Sequence, residues 1–143
     1  MTSKFAGQQY EQNVVHVLRA TIDIGDDDNV VSLGWIPEGA NVIRGGVHVQ
    51  TAFDSATTDV LDLGFRNAAG GETDDPNAYA TVIDMTAVGV IATDAMTAVA
   101  AIDLTLGAEL TASYTATGTV ATVGNAIAWL EYIVDNDGDA SGA

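Results

Sequence analysis

The sequence predicts an all-β chain, a sandwich or barrel of about eight strands. Three observations carry that reading. Apolar and polar residues alternate in short runs, the period of two that lays one face of a strand on a core. Gly, Asp, Asn and Thr cluster between those runs, where turns need residues that tolerate unusual backbone angles or bond to their own backbone. Helical periodicity is scarce, whereas Val and Thr, which suit a pleated surface, are abundant.

Residues 13–25, NVVHVLRATIDIG, read as the first strand. Leu18, Ala20 and Ile22 share one face, and Val17, Arg19 and Thr21 share the other. The run DDDN at 26–29 is a turn, and VVSLGW at 30–35 is a short strand closed by Ile36-Pro37. The next strand is ANVIRGGVHVQTAF, 40–53, with Ile43, Val47 and Val49 on one face and Arg44, His48 and Gln50 on the other. Its Gly45-Gly46 pair signals a bulge or a close backbone approach. TTDVLDLGFR at 57–66 is a further strand, and 67–79 reads as a long polar loop with Asp75-Pro76 as a turn signal.

Residues 80–96 fit two short strands with a turn near Thr86-Ala87, and 93–100 also permits a short helix. VAAIDLTL (99–106) and ELTASYTATG (109–118) look like a hairpin through Gly107-Ala108. NAIAWLEYIVDN, 125–136, is the last strand and is apolar on both faces, which places it centrally in a sheet or at a subunit contact. The predicted organisation is an N-terminal arm (1–12), one β-sandwich domain (13–136) and a flexible C-terminal tail (137–143).

Composition narrows the function. With 143 residues and 48% hydrophobic content, the chain can bury a sizeable core. It has no cysteine, which excludes disulfides, thiolate metal sites and cysteine nucleophiles. Twenty acids against four basic residues (Lys4, Arg19, Arg44 and Arg66) leave a net charge of -16. Such a surface repels nucleic acid and anionic lipid, since phosphate binding needs Lys or Arg to displace counterions. No apolar run is long enough to span a membrane, and the N-terminus lacks a signal-peptide pattern, so a soluble chain is expected.

No catalytic constellation emerges. Arg44 and His48 fall on the polar side of a strand without a nearby nucleophile and carboxylate orienter. Asp135, Asp137 and Asp139 have calcium-loop spacing, but Ala140 stands where the loop needs glycine and the chain stops at Ala143. The acidic groups Asp26, Asp27, Asp28 and Glu72, Asp74, Asp75 read as solvated turns. Two distant histidines make no zinc signature, so neither metal nor cofactor is expected. Trp35, Trp129, Tyr79, Tyr114 and Tyr132 are of the type that lines a sugar-binding face, and equally of the type that anchors cores and interfaces.

Two stretches resemble a known family. In IPEGANVIRGGVHVQTAFDSATTDVLDLGF, 36–65, the carrying elements are Ile36-Pro37 with Gly39, the Val42-Ile43 strand start, Thr51-Ala52-Phe53 and Leu63-Gly64. YTATGTVATVGNAIAWLEYIV, 114–134, is similar to a closing hairpin ending in Glu131-Tyr132. Both resemble head decoration (cement) proteins of tailed bacteriophages and related small virion proteins. That resemblance implies a jelly-roll-like antiparallel β-sandwich and no catalytic residues. It also implies a partner in the major capsid protein, a place on the outer capsid surface and a homotrimer.

On that reading Ile127, Trp129 and Ile133 are the expected interface residues, and Phe5 and Tyr10 are the apolar anchors of an arm reaching a capsid subunit or a neighbouring copy. A carbohydrate- or receptor-binding module of a phage fibre or tail is the alternative, with Trp35 as its test position. Pairing of the first and last strands is expected to bring Arg19 to Glu131.

Overall fold

A computed structural model describes residues 14–67, 74–93 and 107–134. Eight strands lie among them: β1 (His16–Asp23), β2 (Val30–Ile36), β3 (Ala40–Thr51), β4 (Thr58–Asn67), β5 (Asp75–Asp84), β6 (Gly89–Thr93), β7 (Ala108–Thr117) and β8 (Asn125–Val134). They form two four-stranded antiparallel sheets, ordered β1-β8-β3-β6 and β2-β7-β4-β5. Among the described strands, only β4 and β5 are both successive in the chain and neighbours in a sheet, and every other step from one described strand to the next crosses from one sheet to the other. That order is the jelly roll, an eight-stranded double-sheet sandwich.

The core is the inner face of both sheets. Ile22, Val42, Val47, Val49, Ala126, Ala128 and Leu130 line it from the first sheet. Leu61, Leu63, Phe65, Leu110, Ala112 and Tyr114 line it from the second. These positions recur at every second residue within each run because strand side chains alternate across the sheet. The strand β8 sits between β1 and β3, the central position its two apolar faces predict.

The structure corrects several sequence expectations. The alternation assigned to β3 changes phase: a bulge between Val42 and Arg44 turns Ile43 outward, while Val42 joins Val47 and Val49 inside. An inserted residue shifts every later side chain to the other parity.

The polar stretch 67–79 is not all loop, because β5 begins at Asp75. Pro76 is tolerated there because β5 is a sheet edge, where its missing N–H costs no ladder bond. Register shifts on both sides of Leu63 let β5 bulge away from β4, and Val82 adopts a left-handed conformation (φ 56°). A bulged, twisted edge pairs poorly with another sheet.

The expected hairpin of 99–106 with 109–118 is excluded for the second arm, since β7 has both edges taken, by β2 and β4. Its first arm lies outside the described residues, as do most of the 93–100 helix, the 1–12 arm and the tail. The turn near Thr86-Ala87 is present between β5 and β6.

Asp26, Asp27 and Asp28 serve the backbone. Asp23 and Asp26 close a reciprocal cap on the single 3-10 turn Ile24–Asp26. Asp27 Oδ1 accepts a 2.8 Å bond from the Ala116 N–H, and Asp28 occupies a positive φ of 59°. Carboxylates of this kind satisfy donors that a turn leaves free.

Candidate interaction surface

The outer face of the β1-β8-β3-β6 sheet differs from the rest of the surface. Cross-strand register sets Arg19 opposite Trp129, and Trp129 opposite Gly46, which in turn faces Ala92. The next row holds Thr21, Ile127, His48 and Val90. Ile127, Trp129 and Ile133 are half-buried within the single chain, and Val17 and Val90 are exposed. The three residues singled out as interface positions therefore share one face. Phe5 and Tyr10 lie outside the described residues.

Trp129 is placed by what Gly46 lacks. A Cβ at Gly46 would stand 2.7 and 2.9 Å from two atoms of the Trp129 ring, and 2.4 Å from the Ile91 carbonyl oxygen. The glycine thus lets the indole rest against the β3 backbone and lets β6 approach. Beside the ring, Arg44 and Glu131 form an ion pair, with the arginine side chain 64% exposed and the glutamate 16%. Together with Gly45, Ala92 and Thr93 they bound a shallow groove of about 270 Å³.

This pairing replaces the expected one of Arg19 with Glu131. The strands β1 and β8 do pair, but in a register that sets Val17 opposite Glu131 and Arg19 opposite Trp129. Glu131 turns instead to Arg44 on its other side.

The opposite outer face, on β2-β7-β4-β5, is more polar. Trp35 lies opposite Glu109, which lies opposite Arg66. Arg66 Nε donates to Glu109 Oε1 (2.7 Å), and the Ser32 hydroxyl donates to Glu109 Oε2 (3.1 Å). Trp35 is 60% exposed.

The remaining aromatics do not form a shared sugar-binding surface. Tyr79 and Tyr114 are core residues, packed on Phe65 and Phe53. Tyr132 stacks on His16, with ring centroids 5.0 Å apart.

Acids gather at one end of the sandwich with structural tasks. Asp59 is fully buried and accepts from the Tyr114 hydroxyl (2.6 Å) and the Ser55 N–H (2.9 Å). Burial, and then the bond to Asp59, push the Tyr114 phenol well above its ordinary pKa. Burial does the same to Tyr79, helped by the negative charge of Asp75.

Asp54 clasps the β7–β8 loop through the N–H groups of Val123 (3.0 Å) and Thr122 (2.6 Å) and the Thr122 hydroxyl (2.7 Å). These bonds hold its carboxyl below the usual aspartate pKa of 3.8. Bonds from Thr86 do the same for Asp84. Among the described residues no group of three or more His, Asp or Glu side chains is arranged to hold a metal ion.

The Asp54 clasp carries a pH prediction. A depressed carboxyl pKa stabilises the fold above the unfolded value near 3.8, and that contribution is lost as pH falls through the folded value. Asp54→Asn is therefore expected to lower the melting temperature at neutral pH and to flatten its fall below pH 4. Melting curves from pH 2 to 7 check this, and parallel acid limbs in the two proteins would remove Asp54 from the account.

No family model matches this sequence, and no curated protein matches it. Solved structures do. A chain of the capsid of Ralstonia phage GP4 superposes with a TM-score of 0.65 at 18% identity, over 87% of this chain and 86% of that one. A chain from the acidic stable capsid structure of Helicobacter pylori bacteriophage KHP30 gives 0.58 at 17%, covering 86% and 90%. A chain of the cyanophage Pam1 capsid asymmetric unit gives 0.56 at 13%, covering 85% of each. At these identities the likeness is one of fold: a jelly roll found in three phage capsids.

Proposed function

We propose that the protein is a non-enzymatic virion structural protein that binds the outer surface of a phage capsid and reinforces it as a decoration protein. The observation that carries this reading is the fold likeness to three phage capsid chains, each matched over nearly the same share of both partners. The matching chains are thus close to this one in length, as a single jelly roll requires.

Charge and surface agree with the proposal. A net charge of -16 repels packaged nucleic acid, which favours the outside of the shell. The face carrying Ile127, Trp129 and Ile133 joins copies of the chain, with a trimer as the assembly, and the arm bearing Phe5 and Tyr10 reaches the major capsid protein. Repetition over a lattice lets each single contact be weak while the whole coat binds firmly.

The test is reconstitution. Purified protein is added to shells lacking it, and binding is read by co-sedimentation and by the heat resistance of the decorated particles. Saturable binding with a higher disruption temperature is expected, together with weaker binding once residues 1–12 are deleted. Shells that neither bind the intact protein nor gain heat resistance would sink the decoration role. Full-strength binding by the deleted form would remove only the arm.

A further inference from the structure

The two tryptophans lie on opposite outer faces, each near an arginine–glutamate pair, and differ in exposure and in their apolar surroundings. Trp129 is half-buried, with Arg44 and Glu131 beside its ring, on a face that also carries the apolar side chains of Ile127, Ile133, Val17 and Val90, as a protein contact does. Trp35 lies alone. It is 60% exposed on the outer face of the other sheet, and its cross-strand neighbours are hydrogen-bonding groups instead of apolar ones. Glu109 is directly opposite, Arg66 is one strand further, and Ser32 lies on the same face of β2.

These groups are already fixed. Glu109, whose side chain is only 14% exposed, is held by Arg66 on one side and the Ser32 hydroxyl on the other. The Arg66 side chain remains 47% exposed, leaving N–H donors facing solvent.

An apolar ring next to a preordered carboxylate and guanidinium is the chemistry that recognises a sugar. A pyranose presents C–H groups on one face and hydroxyls around its rim. The ring covers the C–H face, and the hydroxyls donate to a carboxylate and accept from a guanidinium. A protein partner would instead want a contiguous apolar patch around its anchor, and the row through Trp35 has none.

Charge narrows the ligand further. The same sheet carries Asp62 and Asp84 on exposed or half-exposed positions, and the chain as a whole bears -16. An acidic polysaccharide would be repelled. We infer that Trp35, Glu109 and Arg66 form a binding platform for neutral hexose-containing glycans, on the face of the sandwich opposite the one assigned to protein contact. A shell coated with such platforms binds a cell-surface glycan through many weak contacts at once.

The experiment uses the full-length protein on a microarray of neutral and acidic bacterial surface glycans. Titration calorimetry follows with the neutral oligosaccharide retained best. Trp35→Ala and Arg66→Gln are compared with the wild type, and circular dichroism confirms the β-sandwich in each. Retention of neutral glycans, with at least a tenfold loss of affinity in Trp35→Ala and a smaller loss in Arg66→Gln, is expected. Binding of both variants to capsid shells should be unchanged, which separates this site from the decoration role.

Three results overturn the platform. One is no glycan retained by the wild type, and another is retention unaffected by Trp35→Ala. The third is loss of shell binding in Trp35→Ala, which would make Trp35 a protein contact.

Discussion

Tyr114→Ala is expected to be among the most damaging single substitutions in this protein. The residue is fully buried, packs its ring 4.8 Å from that of Phe53, and donates its hydroxyl to a carboxylate that has no access to water. Removing a buried aromatic ring costs roughly 3–5 kcal/mol in lost burial and cavity formation. Leaving Asp59 with only the Ser55 N–H adds an uncompensated buried charge. Against a total stability of about 5–15 kcal/mol, that removes a large share of the folding margin.

Tyr114→Phe separates the two contributions. It keeps the ring and removes only the hydroxyl, at an expected cost of about 1–3 kcal/mol. The raised phenol pKa adds a pH signature. Stability from the protonated Tyr114 is complete below its unfolded pKa of 10.0 and declines as pH rises above it. Tyr114→Phe should therefore lose less stability than the wild type between neutral pH and pH 11, while Tyr79 keeps part of the alkaline loss. Denaturant unfolding of the three proteins at pH 7 and pH 11 checks this. Equal stability of wild type and Tyr114→Phe at pH 7 would show that the buried bond contributes nothing.

Gly64→Ala is expected to rival it by another route. A Cβ there would stand 2.1 Å from the Asp75 carbonyl oxygen and 2.2 Å from the Pro76 carbonyl carbon. Both atoms are backbone, so no rotamer change relieves the clash. The edge strand β5 would have to lift from β4, with Tyr79 and Ala78 leaving the core. Overpacking usually costs about 1–3 kcal/mol, and the upper end or beyond applies where only backbone can move.

Gly46→Ala meets the Ile91 carbonyl oxygen at 2.4 Å and also the Trp129 ring. It is expected to loosen β6 and to displace the indole from its place on the outer face. Thermal melts, read beside the tryptophan emission of both variants, measure these effects. Wild-type melting temperatures would contradict the packing described at both glycines.

The contacts that local sequence patterns do not reveal share a physical character. Asp59 was legible in principle: it falls on the same parity as Leu61, Leu63 and Phe65, so alternation alone assigns it to the core. Acid residues seldom enter a core without a partner, and the partner, Tyr114, is far along the chain on β7. The Arg44–Glu131 pair was hidden in the same way. Local spacing identified both residues as polar members of apolar strands, but which arginine meets Glu131 depends on pairing register. The Trp35–Glu109–Arg66 row crosses three strands from three separate parts of the chain, and no local motif encodes it.

What could be read locally is the β class, a count of about eight strands, most of their limits and the two alternating faces of β1. Each follows from alternation and turn chemistry within a few residues. The tertiary structure alone decided which strands are neighbours. That choice set the jelly-roll order, assigned β7 to β2 and β4, and put Trp129 and Trp35 on opposite outer faces. It also decided where regularity breaks, at the Val42/Arg44 bulge and along β5. The physical reason is that strand pairing is non-local. A strand's pattern specifies a face to bury, and only the closing of two sheets over one core specifies the neighbour and the register that bury it.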